Sequence, residues 1–173
     1  MDNKCFSLAK KWLAGLLTAG CFALPFTAYA CGESVITGLY RIGYDPQWAS
    51  VDFNGLETAI SGFSIDLLNE IVRLERRSVS MRKFDGNDLQ AMQDLHRIEA
   101  YISPLSNSKS LGRFYLVSDP YLSFGSDLHL HLIACPDDGH DVINTFNHGL
   151  KALKKMGRYT ALVQKWNLQD FTD

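Results

Sequence analysis

Little in this sequence points to catalysis. There is no Gly-x-Ser-x-Gly elbow, no His-Glu-x-x-His run and no glycine loop of the kind that cradles phosphate. Three large groups of hydrolase, zinc peptidase and nucleotide-binding signatures are therefore missing. Repeats and low-complexity stretches are also lacking. Charge of one sign is not in excess either: 17 Lys and Arg stand against 19 Asp and Glu, for a net charge of −2. That balance gives no reason to expect nucleic acid or an anionic membrane as partner. Cysteine is scarce, with Cys5, Cys21, Cys31 and Cys135 the four present.

What the chain does have begins with a tripartite start. Lys4, Lys10 and Lys11 make a basic opening, Trp12 to Phe26 an apolar run, and Ala28-Tyr29-Ala30 a small-x-small cleavage site. This is the pattern of a secretory signal peptide over residues 1–30, and it predicts export to the periplasm of a single domain over residues 31–173. The apolar run is interrupted by Gly15, Gly20 and Pro25 and is short of the roughly 20 residues a bilayer requires. No later run is apolar enough to span. Cys21 and Cys31 each follow small residues, but neither site carries the aliphatic residue usual before a lipidated cysteine, so lipoprotein anchoring is the lesser expectation. Cleavage removes three Lys and one Asp, taking the charge from −2 to −4. Cys31 and Cys135 then remain in an oxidising compartment, and a disulfide between them is expected. Two thiols that never meet are the alternative.

Along the remaining chain, Val35 to Gly43 reads as a first strand running into a long loop with Trp48 and Phe53. Phe63, Leu67, Leu68, Ile71 and Leu74 recur at three- and four-residue steps and predict a helix opening after Ser61-Gly62. Ser78 to Phe84 reads as a second strand, Leu89, Met92 and Leu95 as a short helix, and Ile98 to Leu105 as a third, buried strand. Strand and helix alternate, which is how a parallel sheet with helices against it is built. Phe114 to Ser118 follows, and then Asp127 to Ala134, where Leu128, Leu130 and Leu132 alternate with His129, His131 and Ile133. Asp141 is expected to cap a helix ending at Gly157, and a last helix carries Tyr159, Leu162, Val163 and Trp166.

Four stretches resemble a known family. Leu39 to Trp48 is similar to its opening strand and aromatic loop, and Gly62-Phe63-Ser64-Ile65-Asp66-Leu67-Leu68 to its Gly-Phe-Asp-Val-Asp-Leu helix start. Ser118-Asp119-Pro120-Tyr121 is similar to a Phe-Ser-x-Pro-Tyr element, and Asn147 to Trp166 to the closing helices. The family is the periplasmic solute-binding proteins of the amino-acid type, bacterial family 3, whose two α/β lobes close on a ligand. The resemblance implies a three-layer α/β/α lobe with a mostly parallel sheet and helices on both faces. It covers the first lobe only: between Tyr121 and the closing helices, where the family crosses into a second lobe, stands just Leu122 to Asp138.

The family's ligand-gripping arginine falls on Leu111 here, and a leucine cannot make the bidentate pair with a carboxylate. The turn before the third strand reads Arg97-Ile98-Glu99. If a ligand binds, the resemblance puts it at the carboxyl ends of the parallel strands. Trp48 and Tyr121 would then be stacking walls, Ser106 and Ser108 hydroxyl donors, and Arg113 an anion partner. Alternatively, the two aromatics only cap the core and the serines only satisfy turns. His129 and His131 have a spacing that can ligate metal, but Cys135 is already assigned to the disulfide and no metal or other cofactor is expected.

The expected function is non-enzymatic: a periplasmic domain binding a small polar solute such as an amino acid, weakly, or serving a membrane transporter or sensor protein. The rival is a protein-interaction module that keeps the scaffold without a ligand, with an enzyme as the lesser alternative. A homodimer is one way to cover the open mouth.

Overall fold

The computed structural model describes residues 38–48, 51–84, 97–106 and 114–170, all within one compact unit, Gly32–Asp173. The leader, Cys31, the start of the first expected strand and the helix expected at Leu89 to Leu95 lie outside the described residues. So do Ser108, Leu111 and Arg113.

Six strands form one mixed sheet: β1 (Leu39–Tyr44), β2 (Ser78–Lys83), β3 (Ala100–Leu105), β4 (Leu116–Val117), β5 (Leu122–Phe124) and β6 (Leu128–Ala134). The described helices are α1 (Glu57–Leu74), α2 (His140–Lys155) and α3 (Arg158–Lys165). The order across the sheet is β2-β1-β3-β6-β4, with β5 also on β6. The chain is thus an α/β single lobe, as expected, but the sheet is divided. β1 pairs parallel with β2 and β3, whereas β6 pairs antiparallel with β3, β4 and β5. The antiparallel part exists because the chain returns through a hairpin after Tyr121. Its three-residue turn, Gly125–Asp127, opens with Gly125 at φ 66°, a conformation that costs glycine little.

All three described helices share one face of the sheet. There Tyr40, Ile42, Tyr44, Ala100, Ile102, Leu130, Leu132 and Ala134 meet the apolar stripes of α1, α2 and α3 in a single core. Ile98, Tyr101 and Ile133 form a smaller cluster on the opposite face. The alternation of β6 produces this split, since side chains two apart share a face.

Two helix starts differ from expectation. α1 begins at Glu57 rather than after Ser61-Gly62, so Ile60 joins the buried stripe and Gly62 sits inside the helix. A Cβ on Gly62 would lie 2.1 Å from the Trp166 ring, so the glycine there is a seat for an indole. Asp141 does not cap α2. Gly139 holds that position, because a Cβ there would meet Ala134 Cβ at 2.3 Å and the Cys135 carbonyl at 2.5 Å. Asp141 instead accepts the Tyr40 hydroxyl at 2.7 Å.

Candidate functional site

The parallel strands β1 and β3 put their carboxyl ends on one side of the sheet, the side where open α/β sheets receive ligands. Tyr44 ends β1 and is followed by Asp45, which is buried and accepts the Gln47 N–H at 2.8 Å. The turn delivers Trp48 at φ 50°, an uncommon conformation for a bulky residue, which packing must hold in place. Trp48 is only 2% exposed. Its indole N–H lies 3.2 Å from Ser61 Oγ, and its ring meets Phe53 edge-on at 5.7 Å. Tyr121 is 1% exposed, lying over Phe63 at 26° between ring planes and edge-on to Phe146. Its hydroxyl shares a 2.9 Å hydrogen bond with Ser64 Oγ, and burial pushes its pKa far up.

Both aromatics are therefore core side chains, and their ring faces are covered. That placement supports the core role that the sequence left as the alternative to stacking walls. Ser106 is exposed at the end of β3, where a hydroxyl can reach a ligand. Ser108 and Arg113 lie outside the described residues. Cys135 is half-buried just after β6, and its expected partner Cys31 is also outside them.

Sequence reasoning missed a pair that ties β1 to the residue just before β3, at the amino end of that strand. Glu99 is 6% exposed, and its Oε1 accepts from Arg41 Nε at 2.9 Å and Nη2 at 2.5 Å. Its Oε2 accepts the Arg41 backbone N–H at 2.6 Å. In the sequence Glu99 stands only as a departure from the family's turn, since a separation of 58 positions hides the pairing. Attraction to Glu99 raises the Arg41 pKa.

A second feature lies where β4 gives way to β5. Pro120 has no N–H, and the ladder is bridged by Ser118, whose Oγ accepts the Leu132 N–H at 2.9 Å. Asp119 N–H donates to Asn147 of α2 at 2.9 Å. The expected Ser-Asp-Pro-Tyr element is thus a strand interruption that leads into the hairpin.

His131 and His129 face away from the main core. His131 Nδ1 donates to the Ser118 carbonyl at 2.7 Å, while His129 Nδ1 and Ser123 Oγ lie 2.7 Å apart. Burial lowers the His131 pKa, and the neighbouring His129 adds to the effect. Among the described residues no three His, Cys, Asp or Glu side chains gather as a metal site.

With this geometry in view, the family model for bacterial extracellular solute-binding proteins, family 3, matches residues 40–169. The chain belongs to that family. No curated protein matches it. Among solved structures it is similar to the arginine-bound form of domain 1 from TmArgBP, at 22% identity and TM-score 0.53, covering 72% of this chain and 100% of that one. It is similar to a putative L-cystine ABC transporter protein from Listeria monocytogenes, at 12% identity and TM-score 0.56, covering 74% and 95%. A histidine kinase sensor domain with similarity to periplasmic binding proteins aligns at 12% identity and TM-score 0.57, covering 74% and 95%. At such identities these likenesses show the fold. The β5–β6 hairpin stands where the resemblance leads one to expect a crossing into a second lobe.

Proposed function

We propose that the chain is exported and works in the periplasm as a non-enzymatic domain that binds a small amino-acid-type solute weakly. The observation that carries this is the family match across residues 40–169 on a lobe whose parallel strands β1 and β3 end on the same side of the sheet. Ser106, Ser108 and Arg113 supply its polar contacts, with Arg113 pairing the solute carboxylate in place of the arginine lost at Leu111. Trp48 and Tyr121 support the crevice from within the core. That a lone domain 1 from TmArgBP is arginine-bound supports single-lobe binding and makes arginine the first solute to try.

Affinity should be low. Pockets generally bury about 70 to 90% of a small ligand, and an open lobe covers about half. A dissociation constant of roughly tens of micromolar to millimolar follows. Calorimetric titration with arginine, other amino acids, polyamines and small carboxylates tests the reading. Binding that falls about tenfold or more in Arg113→Gln supports it. Failure of every solute to bind a well-folded sample refutes it.

The alternative, a protein-interaction module, is favoured by one observation: Phe114, just before β4, is 72% exposed. A photoreactive residue at position 114 that captures a discrete partner in cells would favour it, and an uncaptured chain would remove it. A homodimer, a transporter and a sensor protein are the partners the fold allows for either reading.

A further inference from the structure

Among the described residues one edge of the sheet is left open, and its chemistry selects a partner. β2 lies at the end of the strand order. Ser78 N–H donates to the Gly38 carbonyl at 2.9 Å and Phe84 N–H to the Tyr44 carbonyl at 3.0 Å. In a parallel ladder this parity turns the even-numbered backbone groups toward β1, so the N–H and C=O groups of Val79, Met81 and Lys83 point outward. None of these has a partner among the described residues. Paired with β1 on one side and unpaired on the other among the described residues, the strand is a template for one more strand.

The charge around this edge is mostly basic. Arg73, Arg76, Arg77, Arg82 and Lys83 are five of the chain's 17 basic residues, gathered within a short stretch of a protein whose net charge is −2. The same stretch holds one acidic residue, Glu75, which contacts His148 at 2.7 Å. Arg73 pairs with Glu70, and Arg77 lies 3.5 Å from Asp141. Arg76, Arg82 and Lys83 are exposed with no acidic partner among the described residues. A second copy of β2 added by a two-fold axis would run antiparallel and bring Arg82 and Lys83 opposite the Arg76–Arg77 end. Like charges across a strand pair are unfavourable, so self-pairing is opposed.

We propose that the β2 edge docks an acidic, extended segment of a partner protein, which adds a strand by backbone hydrogen bonds to Val79, Met81 and Lys83 and is selected by the basic residues at both ends. The site lies along the sheet edge and is independent of solute binding at the crevice.

A fluorescein-labelled heptapeptide of alternating glutamate and valine is the probe, titrated into the purified protein and read by anisotropy. Binding should weaken about tenfold or more as ionic strength rises from ~0.01 M to ~0.15 M, because screening shortens the reach of exposed charges. The same peptide with lysine for glutamate should not bind. Arg82→Glu with Lys83→Glu should abolish capture while leaving the unfolding midpoint nearly unchanged, since both side chains are exposed. N-methylation of alternate peptide amides, in each of the two registers, separates strand addition from plain charge attraction. Loss of binding in one register, with slowed amide exchange at Val79, Met81 and Lys83 in the unmethylated complex, supports the proposal. Equal binding by both methylated peptides, no binding by the acidic peptide, or a concentration-dependent dimer that protects the same amides would each overturn it.

Discussion

Gly62→Ala tests how the closing helix is seated on α1. By helix propensity alone the change should stabilise a helix interior by about 1 kcal/mol. Here the new methyl would lie 2.1 Å, 2.4 Å and 2.6 Å from three ring carbons of Trp166. The indole must move, and in moving it loses the 2.8 Å bond from its N–H to Asp66. Overpacking costs roughly 1 to 3 kcal/mol, and a hydrogen bond to a charged group contributes about 1.5 to 3 kcal/mol, less for a half-buried pair. The sum predicts a net loss of about 2 kcal/mol in urea unfolding, or a fall of roughly 4 to 8 °C in melting temperature. The decisive measurement is the same substitution in a Trp166→Ala background, where the clash is gone and the sign should reverse to a gain of about 1 kcal/mol. A Gly62→Ala protein as stable as the parent, or a loss that persists without the indole, would refute the reasoning.

Other consequences can be measured alongside. Gly149→Ala should cost about 1 to 3 kcal/mol, because its Cβ would meet Ile71 Cγ2 at 2.6 Å where α1 and α2 approach; denaturant melts decide it. Glu99→Ala should cost about 1 to 2 kcal/mol by removing three acceptor contacts to Arg41, whose side chain is a third exposed and so partly solvated, with Glu99→Gln retaining part of the stability; equal melts for all three proteins would contradict this. His131 has a lowered native pKa, so the unfolded state takes up its proton first; stability should decline as pH falls below about 6.5 and level off beneath the native value. A titration of the folded protein by NMR showing His131 above about 6.5 would remove that expectation. The Cys31–Cys135 bridge is proposed to contribute on the order of 4 kcal/mol, and the intact mass under non-reducing conditions reveals whether it forms.

The parts of this fold that could be read in advance were those set by local period. β6 was legible because leucine and histidine alternate, and α3 because Tyr159, Leu162 and Val163 repeat at helical spacing. Gly157 was legible as a helix stop, and it sits at φ 73° as such a position requires. The start of α1 was not legible, since Leu56 at its cap offers no side-chain acceptor and Gly62 imitates a boundary. β5 passed unnoticed because its three residues carry too little pattern, although they decide that half the sheet is antiparallel. At the crevice, residue type proposed Trp48 and Tyr121 as ligand walls, but an aromatic that binds and one that packs look alike in sequence. Their burial, and the Arg41–Glu99 pair, depend on contacts made far along the chain, which composition and spacing do not record.

The three-residue turn between β5 and β6 also suits the lobe to protein engineering. Gly125, Ser126 and Asp127 are exposed, and the flanking residues Phe124 and Leu128 stand side by side in register. A guest domain whose own ends lie close together can be spliced there without pulling the ladder apart, since insertions are best tolerated at such tips. Fluorescent proteins or designed binders placed at this port would hang above the crevice, turning the lobe into a reporter of whatever occupies it.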